Sequence, residues 1–174
     1  MTRLSGLMED LGRIIAHWAH VLSGVLWVGG GFYTILVQLP ALAAMPMPAR
    51  GPAIASLAPR QVRYIMRVAE VTIATGILQV FVNPHAAQLT GLSSRWAIAI
   101  LLGALMAAIA YGLLRGVLKP AIERLLEVAP AAAGGNAAAA AQVGVMRERI
   151  RRLGYAQLAL GTLIVGAMVT ARFS

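Results

Sequence analysis

The chain contains no cysteine. That excludes disulfides, thiolate-bound zinc, iron–sulfur clusters and cysteine nucleophiles, so any metal must be held by His, Met or oxygen. Charge is also scarce, with charged residues making up 12% of the 174 residues against 59% hydrophobic. A soluble domain carries roughly twice that charged fraction, at about 25%. Aromatics contribute only 6%, there are three histidines, and Lys119 is the one lysine. No phosphate loop, dinucleotide fingerprint or serine elbow is present.

What the chain does have is apolar length. Stretches free of Asp, Glu, Lys and Arg separate Arg13 from Arg50, Glu70 from Arg95, Arg95 from Arg115 and Arg152 from Arg172, each at least 19 residues long. About 20 apolar residues cross a bilayer as a helix. Together with a mean hydropathy of +0.76, this predicts an all-α fold, an integral membrane four-helix bundle. A single transmembrane domain occupies residues 1–174, with spans at about 14–39, 64–82, 96–118 and 153–171. Ala41-Leu42-Ala43 resembles a signal-peptidase site, but Glu9 and Asp10 oppose a basic leader region and the apolar run is too long. The first span is expected to be retained.

Breakers mark the connectors. Pro40 is expected to stop span 1, and Pro46, Pro48, Pro52 and Pro59 to form a proline-rich connector. Asn83-Pro84 should close span 2, and span 3 should end ahead of Pro120. Ile122, Leu125 and Leu126, interleaved with Glu123, Arg124 and Glu127, suggest an amphipathic stretch lying at the membrane surface. Ala131 to Gly135 reads as a flexible linker. Asn136 is a reasonable N-cap for a helix running through Arg147, Arg151 and Arg152 into span 4.

The net charge of +9 is distributed by side. Arg3, Arg13, Arg95 and Arg172 fall on the face holding both termini, against eleven basic residues on the other. The positive-inside rule then predicts a multi-pass inner-membrane protein with both termini on the outer, periplasmic side. No recognition element for nucleic acid accompanies the charge, so no nucleic-acid partner is expected. The expected environment is the lipid bilayer. Rows of small residues (Gly103, Ala104, Ala107, Ala108 with Gly112; Gly154, Gly161 and Gly166) suit close helix packing within the bundle, in a homo-oligomer or against other membrane subunits.

At about 100° per residue, His20, Gly24, Trp27 and Gly31 fall at roughly 300°, 340°, 280° and 320° from His17. Two imidazoles, an indole and two glycines thus share one face, which suits a flat macrocycle with an imidazole as axial haem ligand. The alternative is a packing face with hydrogen-bonded histidines. Thr72, Thr75, Gln79 and Asn83 form a polar stripe on span 2, directed into the bundle. His85 lies just past that span as a candidate second ligand, giving His20 and His85 as the candidate metal-binding pair. Arg13 and Arg95 flank the same layer as candidate clamps for carboxylates such as haem propionates. Arg67 and Glu70 are spaced to pair. Met45 and Met47 raise copper as an alternative metal, since thioether sulfur favours Cu(I).

The run from His20 through Trp27, Gly30, Phe32 and Tyr33 resembles the first helix of the HemJ-type protoporphyrinogen oxidase family. The block from Ile65-Met66-Arg67 to Gly76 resembles its second. The His-to-Trp-Gly-Gly spacing is also similar to that of CopD-type copper-resistance membrane proteins and of the membrane region of some urate oxidases. The resemblance covers spans 1 and 2 more fully than 3 and 4. It implies that His20 ligates haem b and that Trp27 lines the site. Where HemJ-type proteins carry a lysine early in the third helix, this chain has Arg95-Trp96. The combined expectation is a b-type haem protein acting in electron transfer, alone or as a subunit of a larger membrane complex. The alternatives are a HemJ-like oxidase with Glu70 or Tyr33 assisting proton removal, a CopD-like copper-handling protein using His17, His20 and methionines, and a purely structural subunit.

Overall fold

The computed structural model describes residues 2–82, 86–90, 92 and 94–174. Among them the chain forms only helices and connectors: α1 (Thr2–Tyr33), α2 (Leu39–Ala44), α3 (Met47–Val82), α4 (Arg95–Leu113), α5 (Lys119–Ala133) and α6 (Ala137–Arg172). α1 runs into α2, and α4 into α5, without leaving the helical path. The result is four long helices, Gly6–Ala44, Pro48–Val82, Arg95–Ala133 and Ala137–Arg172, each long and apolar enough to cross a membrane. The protein is an all-α, multi-pass membrane four-helix bundle.

Each of the two continuous joints is a π turn followed by proline. Thr34–Gln38 precedes Leu39-Pro40, and Leu114–Leu118 precedes Lys119-Pro120. The Leu39 N–H reaches back five residues to the Thr34 carbonyl, and the Lys119 N–H to that of Leu114. A proline ring normally clashes with the carbonyl four residues earlier. Widening the turn ahead of it relieves that clash, and π turns occur as such single insertions. Pro40 therefore does not stop the first helix, as its chemistry alone predicts, and Pro120 does not end the third.

The proline-rich connector is likewise helical. Pro46 accepts from the Arg50 N–H at 3.1 Å, Pro48 sits in the first turn of α3, where its missing donor costs nothing, and Pro52 and Pro59 lie within the helix. The turn between α2 and α3 is reduced to Met45 and Pro46. Ala131–Ala133 belong to α5, not to a flexible linker, and the chain reverses at Gly134 and Gly135, the latter at φ 90°. At that φ an L side chain would be strained. The Asn136 cap is as expected, its side chain accepting from the Ala139 N–H at 3.0 Å, and α6 runs through the arginine cluster into the apolar segment.

At about 1.5 Å per residue, a helix of 39 residues such as Gly6–Ala44 is near 58 Å long, about twice a hydrocarbon core. All four helices outrun the predicted spans at the end holding the α2–α3 and α5–α6 turns, where Arg50, Arg60, Arg63 and the Arg147–Arg152 cluster lie. We call this the arginine end and the opposite one the histidine end.

α1 lies antiparallel to α3 and α6, and α4 antiparallel to α6, with α3 bridged to α4. Small residues set these approaches: Gly30 faces Ile65, Gly154 faces Ile35, Gly161 faces Val28 and Gly103 faces Met168. Gly103, Gly154 and Gly161 thus serve packing inside the bundle, whereas Gly112 and Gly166 face open space. The closed core is small, with Trp27, Ala69 and Ala110 at its centre. Large apolar side chains such as Trp18 and Phe81 stay 66% and 80% exposed, as lipid-facing residues do where hydrocarbon replaces water.

Candidate functional site

At the histidine end, α1 offers His17 and His20 one turn apart, and antiparallel α3 offers Thr72, Thr75 and Gln79 along its facing stripe. The polar stripe is directed onto the histidines. His20 Nδ1 donates to the Thr72 carbonyl at 2.9 Å, and His17 Nδ1 donates to Gln79 Oε1 at 2.9 Å. Because a carbonyl oxygen only accepts, the His20 proton must reside on Nδ1, which leaves Nε2 with the lone pair in the neutral ring. The Thr75 hydroxyl stands 3.4 Å from His20 Nδ1 and donates to the Val71 carbonyl at 2.6 Å.

The His20 ring is seated on Gly76. A Cβ at that glycine would lie 2.9 Å from Cε1 and 3.2 Å from Nδ1, closer than packed carbon atoms tolerate. Gly24 meets the Thr72 methyl at an ordinary 3.7 Å. Buried Ser23 donates to the carbonyls of Ala19 at 2.7 Å and His20 at 3.1 Å, so its hydroxyl is spent on its own helix.

The other expected residues are dispersed. Trp27 is 7% exposed and belongs to the core. Gly31 turns to Leu158 of α6. The five-residue face therefore begins on α3 and ends against α6, because packed helices cross at an angle and the neighbour beside one face changes along its length. Arg13 pairs with Asp10 at 3.2 Å and Glu9 at 4.0 Å on its own helix. Arg95 is exposed at the first position of α4, following the Ser94 N-cap, whose hydroxyl accepts from Ala97 N–H at 3.2 Å. His85, with Asn83, lies outside the described residues. Among the described residues no group of three or more His, Asp or Glu side chains is placed to hold a metal ion.

Two features were not predicted. The Arg67–Glu70 pair, at 3.3 Å, is part of a larger cluster in which Tyr111 donates to Glu70 Oε1 at 3.0 Å and Arg115 reaches both Glu70, at 3.8 Å, and the Tyr111 oxygen, at 3.3 Å. The only sequence sign of it was Tyr111 and Arg115 four apart on one face. The second is a cavity of about 410 Å³ between the helices, running from Trp27 toward the arginine end. Ile122, Leu125 and Leu126 line it, so the apolar face of α5 covers the interior instead of lying on a membrane surface. α5, which follows the π turn at Leu114–Leu118, packs against α6 and α3. At the rim of the cavity, hydrogen bonds from Arg152 and Arg151 hold the Glu148 carboxyl below the usual carboxylate range.

No family model, curated protein or solved structure matches this chain.

Proposed function

We propose that the protein is a b-type haem membrane protein acting in electron transfer, alone or within a larger membrane complex, with His20 as the iron ligand. The observation that supports this most is the Nδ1–H bond of His20 to the Thr72 carbonyl. A backbone acceptor behind a ligating imidazole fixes the tautomer and orientation and raises the basicity of Nε2. The donor chemistry therefore fits haem b, which when bound supplies one-electron exchange. Gly76 and Thr72 hold the ring, Trp27 closes the bundle beneath this end, and exposed Arg95 offers a guanidinium to carboxylates. His17 sits on the same helix one turn away, so the two rings do not address opposite faces of one iron. His85 is the sequence's candidate for a second ligand.

In this reading the arginine end is cytoplasmic and the termini are periplasmic, from the eleven-to-four partition of basic residues and the positive-inside rule. The oxidase alternative is less favoured. Glu70 is held by Tyr111 and two arginines and neither it nor Tyr33 lines the cavity. Copper handling that combines His17, His20 and Met45 is less favoured too, because Met45 stands at the arginine end. A structural role is the second reading, favoured by the use of both Nδ1 atoms in interhelical bonds.

The test is pigment stoichiometry. The protein, expressed with haem supplied and purified in mild detergent, should carry haem b in a fixed ratio to chain by extraction and chromatography, and His20→Ala should lose it. Haem-free protein that folds normally would contradict the proposal and leave the structural role.

A further inference from the structure

The cavity is apolar along its depth and basic at one end. Trp27, Ile65 and Ala110 close the inner end, and Arg50, Arg147 and Arg151 line it toward the arginine end, with no Asp or Glu among the described lining residues. Two of the polar side chains in the lining are satisfied by the protein itself: the Gln61 amide donates to Thr34 Oγ1, and Gln157 Nε2 donates to the Ala110 carbonyl at 2.6 Å, while Gln38 adds a further polar side chain to the wall. One polar atom is different. Arg50 directs a terminal nitrogen to the carbonyls of Ala43 and Met45, but its Nε is the one buried side-chain nitrogen or oxygen without a partner among the described residues. A buried donor left unpaired is destabilising, because it has given up water without a replacement partner, and a lined cavity beside it is where an acceptor belongs.

The geometry points to a binding site for an anionic amphiphile, an acyl chain in the apolar depth with its phosphate or carboxylate oxygens on Arg50 and Arg147 and beside Arg151, whose Nε and Nη2 are turned to Glu148 at 2.9 and 2.7 Å. The volume of about 410 Å³ lies within the roughly 300–1,000 Å³ of small-molecule sites. Guanidinium forks match such oxygens in geometry and charge. The apolar walls match a chain in the same way, and the surrounding bilayer supplies molecules of this kind. This site lies at the opposite end from His20, so it stands or falls independently of haem ligation.

Native mass spectrometry of the detergent-purified chain tests it, after exchange into phosphatidylglycerol, phosphatidylcholine or oleate. One phosphatidylglycerol or one oleate is expected to stay bound to each chain under activation that strips phosphatidylcholine. Which of the two stays identifies a bilayer lipid or a free fatty acid as the source, and either upholds the assignment. Arg147→Gln with Arg151→Gln should reduce retention by roughly tenfold, the loss of about 1.4 kcal/mol of charge-assisted hydrogen bonding. Ala58→Phe, which fills the cavity from α3 and spares every arginine, should abolish it. Equal retention of phosphatidylcholine, or undiminished retention in Ala58→Phe, overturns the proposal.

Discussion

The imidazole of His20 rests on the bare backbone of Gly76, with 2.9 Å between Cε1 and the position a Cβ would take. The glycine has no side chain to contribute, yet it determines where the ring lies and allows Nδ1 to reach the Thr72 carbonyl. Gly76→Val should push the ring off α3 and destabilise the bundle by about 1–3 kcal/mol, as overpacking does. Denaturant-induced unfolding in mixed micelles would measure this, and haem content should fall with it. Full stability and full haem content in Gly76→Val would show that the seat is not needed.

Close approach and open space at glycines predict opposite outcomes on one helix. Gly154 faces the Ile35 side chain, whereas nothing stands within 4 Å of a Cβ at Gly166. Gly154→Val should cost about 1–3 kcal/mol. Gly166→Ala should be neutral or stabilise by up to about 1 kcal/mol through helix propensity. Equal melting temperatures for the two variants would contradict the α1–α6 packing described here.

The cluster joining α3 to α4 should behave as a unit. Tyr111→Phe removes the hydroxyl that Glu70 accepts from at 3.0 Å and should cost about 0.5–1.5 kcal/mol. Glu70→Gln should cost more, since it leaves Arg67 and Arg115 without their carboxylate. In a double-mutant cycle the two effects should be non-additive, because the residues share one bond. Strict additivity would mean that the contact contributes nothing to stability.

At the α5–α6 turn, Asn136→Ala should lower stability by about 1 kcal/mol through loss of the N-cap, and Asn136→Asp should restore it. Circular dichroism melts of the three proteins would decide whether the cap or the glycine turn holds the hairpin.

Much of this architecture is legible in the sequence because lipid imposes so simple a rule. The spacing of charges located four spans, Asn136 announced its helix, and the period of Thr72, Thr75 and Gln79 turned the polar stripe into the bundle, where the structure sets it against α1. Proline misled, since Pro40 and Pro120 break a regular α-helix but not one whose preceding turn has opened to five residues. The stripe on α1 was legible as a face but not as a neighbour, because whether Gly31 meets α3 or α6 depends on how the helices cross. The Glu70–Tyr111–Arg115 cluster and the cavity were hidden for the same reason. Both join residues about forty or more positions apart, and no local pattern encodes such a meeting.

The most direct measurement is the reduced-minus-oxidised absorbance spectrum of the purified protein, recorded for wild type, for His20→Ala and for His20→Ala with added imidazole. The account predicts a Soret band and sharp reduced bands in the wild type, their loss in His20→Ala, and partial recovery when imidazole enters the vacated position. A wild-type spectrum without a Soret band, or one unchanged by His20→Ala, would contradict ligation by His20.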